Sequence, residues 1–179
     1  MSIVYGKRLR LRRVEREDVK KYHEWVNDPE ITEGLSLFFP MSIEDEERWY
    51  EGTLGRDVQE RPFAIEVKAG DSWRLIGNCT FFGIEREVRC GEVGIMIGDK
   101  SMWNQGLGTE AMNLLLRFGF ETLNLNRISL RVYADNLRAK RAYEKSGFVL
   151  EGTLRQAIYK HCEYVDVHIM SVLRSEWKK

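Results

Sequence analysis

Apolar positions change period several times along the chain, and each change marks an element. Leu9, Leu11 and Val14 are interspersed with Arg8, Arg10, Arg12 and Arg13, the pattern of an edge-like strand with one wet face. Over residues 15–27 the period lengthens, and Val19, Tyr22 and Val26 fall on one helical stripe that Asn27-Asp28-Pro29 ends. Ser42 followed by Asp45 has the spacing of a helix N-cap, with acidic residues at 44–47 where the helix dipole favours them. The helix it opens is expected to turn Trp49 and Leu54 inward. Residues 63–67 and 73–83, separated by Ala69-Gly70-Asp71, read as a hairpin, and 92–97 as a further strand. Ala111, Leu114, Leu115 and Phe118 then recur at helical spacing and predict a strong helix over 110–123. Alternation returns at 128–133. Asn136 and Gly147 bracket a short helix over 137–146, and two strands around 148–154 and 164–173 close the pattern.

Strands and helices thus mix, with one strand–helix–strand–helix–strand passage from about 92 to 154. The class is α/β, or α+β with a mixed sheet. At 179 residues, without repeat, low-complexity tract or linker, the chain reads as one domain over 1–179. Twenty-eight Lys+Arg balance 28 Asp+Glu, which argues against a nucleic-acid or anionic-membrane partner, because neither is drawn to a balanced surface. No apolar run approaches the ~20 residues that span a bilayer, and residues 1–8 lack the apolar region of a signal peptide. A cytoplasmic location is expected. Cys79, Cys90 and Cys162 fit no disulfide framework, and with His23, His161 and His168 they show no metal-ligand spacing. No metal is expected, and His161-Cys162 reads as ordinary strand.

The most informative stretch is Trp103-Asn104-Gln105-Gly106-Leu107-Gly108-Thr109-Glu110-Ala111, which leads into the strong helix. Two glycines let the backbone turn tightly beside a ligand, and the first amides of a helix lack partners, so an anion such as pyrophosphate is a natural guest. A tight helix entry with no ligand explains the glycines equally well. A Walker loop is excluded, since the only Gly-Lys pair, Gly6-Lys7, is followed by Arg8. Gly106-x-Gly108-x-x-Ala111 fits the loose dinucleotide fingerprint. Yet residues 98–105 intervene between the strand and the first glycine, and the region where an acidic ribose ligand is due reads Arg127 to Arg131.

A second motif, residues 136–148 (Asn136-Leu137-Arg138-Ala139-Lys140-Arg141-Ala142-Tyr143-Glu144-Lys145-Ser146-Gly147-Phe148), follows the strand at 128–133. Together with the glycine loop it resembles the acetyl-CoA-binding half of the GNAT superfamily of N-acetyltransferases. Trp25-Val26-Asn27-Asp28-Pro29-Glu30 and Ser171-Val172-Leu173-Arg174-Ser175-Glu176-Trp177 look like its RimJ/RimL-like branch, which acetylates protein amino termini. The superfamily often has Arg or Gln where Trp103 stands, three residues before the first glycine, and RimL-like sequences commonly have Trp there. The resemblance implies a central, mostly antiparallel sheet flanked by helices, and direct attack of an amine on acetyl-CoA with no acyl-enzyme. It assigns cofactor contacts to Ile95, Ile97, Asn104, Gln105, Gly106, Leu107, Gly108, Thr109, Asn136 and Lys145. It makes Tyr143 the acid beside the CoA sulfur and Glu92 the base, commonly through water.

The residues are consistent with that chemistry. Direct attack needs a placed thioester, a neutral amine, a stabilised oxyanion and a proton for the leaving thiolate. No Ser-His-Asp arrangement and no base-flanked cysteine competes. Asn136 and Tyr143 are seven residues apart, within ~20° of each other on one helical face. A phenol of ordinary pKa ~10 keeps its proton at neutral pH and can donate it to a thiolate of pKa near 8.5. Packing under the sheet for Tyr143, and a surface ion pair for Glu92, are the alternatives. Backbone N–H groups near Ile95 and Ile97 are oxyanion candidates, whereas Lys140, Arg141 and Lys145 are candidates for the CoA phosphates. Residues 15–60 and the last two strands are expected to line the acceptor side, with Trp25, Phe38, Phe39, Trp49, Tyr164, Glu33, Glu163 and Asp166 available. The acceptor is expected to be a protein or peptide α-amine. A small-molecule amine (polyamine, aminoglycoside or amino sugar) and a noncatalytic acyl-CoA sensor stand as alternatives, and the enzyme is expected to be a monomer or homodimer.

Overall fold

A computed structural model describes residues 3–178; Met1, Ser2 and Lys179 lie outside it, so the signal-peptide reading of the amino terminus falls partly outside the described residues. Eight strands form one sheet: β1 (Ile3–Tyr5), β2 (Leu9–Arg13), β3 (Phe63–Ala69), β4 (Ser72–Glu85), β5 (Cys90–Ile97), β6 (Arg127–Tyr133), β7 (Val149–Lys160) and β8 (Glu163–Leu173). Their order is β1-β2-β3-β4-β5-β6-β8-β7, antiparallel throughout except where β5 meets β6. Helices α1 (Val19–Val26), α2 (Pro29–Thr32) and α3 (Ile43–Leu54) precede the middle of the sheet. α4 (Leu107–Arg117) joins β5 to β6, and α5 (Leu137–Lys145) follows β6.

Both faces of the sheet are covered over its middle strands, whereas β7 is mostly exposed. The larger cluster buries Leu11, Ile65, Phe81 and Ile128 under Met112, Leu115 and Leu116 of α4. The smaller one packs Tyr22, Trp25 and Ile31, with Trp49 of α3, over Ala64 and Met96. Ser42 and Asp45 form a reciprocal capping box on α3, as their spacing predicts. Leu54, expected inward, is 47% exposed at the end of α3, and Thr53 takes the buried place.

Several expectations are corrected. β2 is not an edge strand, because β1 pairs along it, and its arginine face is not wet. Arg10 and Arg12 both bind the buried Glu66 across the sheet, and Arg12 also clasps Asp18 at 2.7 and 2.8 Å. The hydrogen bond to Asp18 raises the Arg12 pKa against the opposing effect of burial. Alternating arginines therefore mark a paired interior face, which polarity alone cannot distinguish from a solvated one. Pro29 ends α1 and also starts α2, since a proline at the first helical position loses no helix bond, and Asp28 caps it by accepting from the Glu30 N–H at 3.0 Å. α4 begins at Leu107 rather than 110 and passes into a π-turn at Phe118–Thr122. β7 runs on to Lys160, and His161 and Cys162 are the left-handed turn residues (φ 50° and 64°) of the β7–β8 hairpin rather than strand.

Candidate active site

The site begins with a failure of strand pairing. β5 and β6 pair only as Cys90↔Arg127, Gly91↔Ile128 and Glu92↔Ser129. Beyond these positions the two strands part, because β5 stays on β4 while β6 follows β8. The Gly98 N–H donates to Ile76 O at 2.8 Å, so strand alternation turns the backbone of Met96 and Gly94 toward β4 and that of Ile97 and Ile95 toward the gap. The Trp103 indole N–H takes up the Ile97 carbonyl at 2.7 Å. The N–H groups of Ile95 and Ile97 are left facing the gap, without a strand partner.

The glycine loop closes one end. Asn104 and Gly106 have φ of 60° and 76°, a left-handed pair that only glycine adopts without cost at the second position. Gly106 is the N-cap of α4, and its carbonyl accepts the Glu110 N–H at 3.0 Å. The amides of Leu107, Gly108 and Thr109 therefore precede the helix ladder and are free to bind an anion. Arg8, just before β2, pins this entry, donating to both Glu110 carboxylate oxygens at 2.8 Å and to the Gln105 carbonyl at 3.1 Å.

α5 supplies the facing wall. The Asn136 side chain caps it, accepting from the Ala139 N–H at 3.1 Å, so Asn136 stands at the helix end rather than within it. Tyr143 lies two turns on, its ring 6.0 Å from Phe148, and burial pushes its phenol up to about 12.

These walls enclose a cavity of about 450 Å³. Ile95, Ile97, Asn104, Gly106, Leu107, Gly108, Thr109, Asn136, Tyr143 and Lys145, all candidates from the sequence, line it. Gln105 does not; its side chain turns back to the Ser101 carbonyl. Glu92 does not either. It occupies the last paired position of β5, and its carboxylate is 3.5 Å from Arg131. Of the three basic candidates, Arg141 and Lys145 reach the lining and Lys140 does not.

The expected acceptor aromatics are elsewhere. Trp25 and Trp49 belong to the packed cluster under α1 and α3, while Phe38, Phe39 and Tyr164 are exposed and outside the lining. Glu33, Glu163 and Asp166 are also outside it. In their place come Ile31 of α2 with Gly34 and Leu35 of the following turn, and Arg138, stacked 3.6 Å over the Trp103 ring. Nothing in the sequence pairs Arg138 with Trp103. The proline-started α2, readable from Asp28-Pro29, was the one signal that could have put Ile31 and Leu35 on a wall.

Residues 8–149 match the Acetyltransferase (GNAT) domain family. The chain belongs to that family. It is 31% identical to an uncharacterised N-acetyltransferase of Bacillus licheniformis over 99% of both chains. It is likewise 31% identical to the spermidine N(1)-acetyltransferase of Vibrio cholerae, covering 94% of this chain and 95% of that one. A crystal structure of the V. cholerae spermidine N-acetyltransferase with CoA and spermine superposes with a TM-score of 0.86 at 30% identity, covering 96% of this chain and 98% of that one. The protein is accordingly a GNAT N-acetyltransferase that uses acetyl-CoA. Its own residues suit that cosubstrate: three unpartnered amides at a left-handed glycine, two strand N–H groups facing an open gap, and Arg138, Arg141 and Lys145 along the rim. No helix among the described residues is long and apolar enough to cross a membrane.

Proposed function

We propose that this chain, acting as one catalytic domain, acetylates a primary amine of a small polycation of the polyamine class. The observation that carries the reading is the whole-length likeness to a spermidine acetyltransferase, in sequence and in fold. A protein or peptide α-amine is the second reading, motivated by the RimJ/RimL-like segments. Those segments carry little information about the acceptor, however. Trp25 packs in the core, and Trp177 stacks on Phe120 at 5.2 Å; neither tryptophan lines the cavity.

In the proposed mechanism acetyl-CoA supplies the activated acyl group. The amides of Gly106, Leu107, Gly108 and Thr109 hold its pyrophosphate, with Asn104 beside them and Lys145 at the rim, and Asn136 borders the pantetheine path. The N–H groups of Ile95 and Ile97 receive the charge that develops on the thioester oxygen. The Tyr143 phenol gives its proton to the departing sulfur. A phenol raised to about 12 is a weak acid toward a thiolate of ordinary pKa ~8.5, but the same dry surroundings raise the basicity of the thiolate too. Ile31, Gly34 and Leu35 form the acceptor wall. Glu92 lies about 10 Å along β5 from Ile95, so its part as base is confined to relay through water.

An acceptor screen tests the reading. Thiol release from acetyl-CoA is followed with spermidine, spermine, aminoglycosides and peptides. The expected result is a kcat/KM for polyamines at least about tenfold above that for peptides, rising from pH 7 to 9 as amines of pKa near 10.4 lose protons. Preference for peptides, with turnover already appreciable at pH 7, overturns it.

A further inference from the structure

The cavity wall at Gly34 and Leu35 is held by a lysine that lies 127 residues from its partner in sequence. Lys160, at the end of β7, has a side chain only 11% exposed. Its ammonium donates to the Glu33 carboxylate at 2.7 Å and to the Glu33 carbonyl at 3.1 Å, and it pairs with Asp135 at 3.0 Å. It also stands 5.0 Å over the Tyr133 ring, whose hydroxyl meets Ser36 Oγ at 3.0 Å. Glu33 directly precedes Gly34 and Leu35, whereas Asp135 directly precedes Asn136, and all three of the residues they precede line the cavity. The two segments touch there: a Cβ on Gly34 would lie 2.5 Å from the Asn136 side-chain nitrogen.

We propose that Lys160 is a positioning residue for acceptor binding, a latch whose ammonium draws the Glu33–Ser36 segment and the Asp135–Asn136 segment together and so sets the acceptor wall. The proposal rests on the reading of that wall given above. Both carboxylates lie within 3.0 Å of one nitrogen, so their oxygens are at most about 6 Å apart, and without the cation between them they repel. Loss of Lys160 thus drives the segments apart rather than merely loosening them. His161, 2.8 Å from Glu33 but exposed, remains in the variant and compensates only where it is protonated. Among the described residues no contact of Lys160 reaches the glycine loop, α4 or Tyr143; its one link to the acetyl-CoA side runs through Asp135 to Asn136, whose side chain is held separately as the cap of α5 by the Ala139 N–H.

The test compares Lys160→Met, Lys160→Arg and the double variant Lys160→Met/Glu33→Gln. Lys160→Met is expected to raise the acceptor KM about tenfold, with kcat and the acetyl-CoA Kd within about twofold of wild type. Raising the salt concentration should lower that KM, because the repulsion is screened. Lys160→Arg and the double variant should recover most of the loss, since one restores the cation and the other removes one of the opposed charges. Hydrogen exchange at the amides of Gly34, Leu35 and Ser36 should quicken in Lys160→Met and slow again in the double variant. Unchanged exchange and KM in Lys160→Met, a loss no smaller in the double variant, or a parallel fall in acetyl-CoA affinity each overturn the latch. Should wild-type enzyme reject polyamines, the functional reading fails, yet the exchange pattern still decides whether Lys160 holds the segment.

Discussion

The two sides of the cavity are made of different materials. On the proposed acetyl-CoA side the groups available are backbone: amides at the start of α4, N–H groups of β5 left unpaired by the departure of β6, and a left-handed glycine. On the proposed acceptor side they are side chains and short turns brought from distant parts of the chain, with Gly34 against Asn136 and Glu33 tied to Lys160. A backbone cradle tolerates most substitutions along its length but fails at the few positions where a side chain intrudes. A side-chain wall can change its guest by single substitutions. The difference fits a family in which one cosubstrate is kept while acceptors vary, since specificity lives in sites carried by a common fold.

The largest expected effect tests whether the acetyl-CoA side carries chemistry as well as binding. Tyr143→Phe keeps the ring and its packing on Phe148 but removes the proposed proton donor. Acid–base groups typically contribute 10²–10⁴-fold, so kcat should fall at least ~10²-fold. Acetyl-CoA affinity should stay within a few-fold, because the hydroxyl acts mainly in the transition state. The raised phenol adds a pH signature. Tyr143 stays protonated until about pH 12, so wild-type kcat should show no alkaline decline from this group through pH 10. Turnover of the variant near the wild-type rate would make Tyr143 a packing residue.

Next in size is the cradle itself. Acetyl-CoA at 100 times its Kd should stabilise the wild type by about 2.7 kcal/mol, read as a shift in thermal unfolding. Gly106→Val should abolish the shift, because a β-branched residue at φ 76° is strained and would pull the loop out of its left-handed turn. Gly108→Ala separates the two causes. Its Cβ would lie 3.8 Å from Ile97 Cγ1, ordinary contact, so the unliganded protein should keep its stability while acetyl-CoA stabilises it less. A full shift in both variants would break the backbone account.

The same contrast explains what could be read from the sequence. The elements from β5 to α5 follow local rules, including the cap at Asn136, the apolar stripe of α4 and the glycine turn, and they lie in one continuous stretch. Even there the apolar period begins at 110 while α4 begins at Leu107, because glycines hide helical periodicity. The proposed acceptor wall has no such local signature. Trp25 and Trp49, candidates for that wall from the sequence, are packed in the core, Phe38, Phe39 and Tyr164 are exposed, and the Lys160–Glu33 tie is invisible to any window of neighbouring residues. Arg10 and Arg12 misled for a related reason: their partner Glu66 lies on a strand more than fifty residues away.

The smallest predicted effect concerns the attachment of the β7–β8 hairpin to the rest of the sheet. Arg127 at the start of β6 pairs with Glu151 of β7 across the intervening β8, where the Ser171 hydroxyl also donates to Glu151 at 2.7 Å. The Arg127 hydrogen bond, with help from Ser171, lowers the Glu151 carboxyl to about 2. A carboxyl depressed on folding contributes stability above its unfolded pKa of ~4.3, and that contribution fades as pH falls toward the folded value. Both side chains are more than a third exposed or close to it, so solvent screening should hold the contribution below about 1 kcal/mol. Urea midpoints of wild type and Glu151→Gln should therefore differ slightly at pH 6 and converge between pH 4.3 and pH 2, more weakly in high salt. Activity should be unchanged, because neither residue lines the cavity. A difference that stayed constant down to pH 2 would mean that packing, rather than the ion pair, holds β7 to the rest of the sheet. In that case the hairpin that carries Lys160 would be anchored independently of charge.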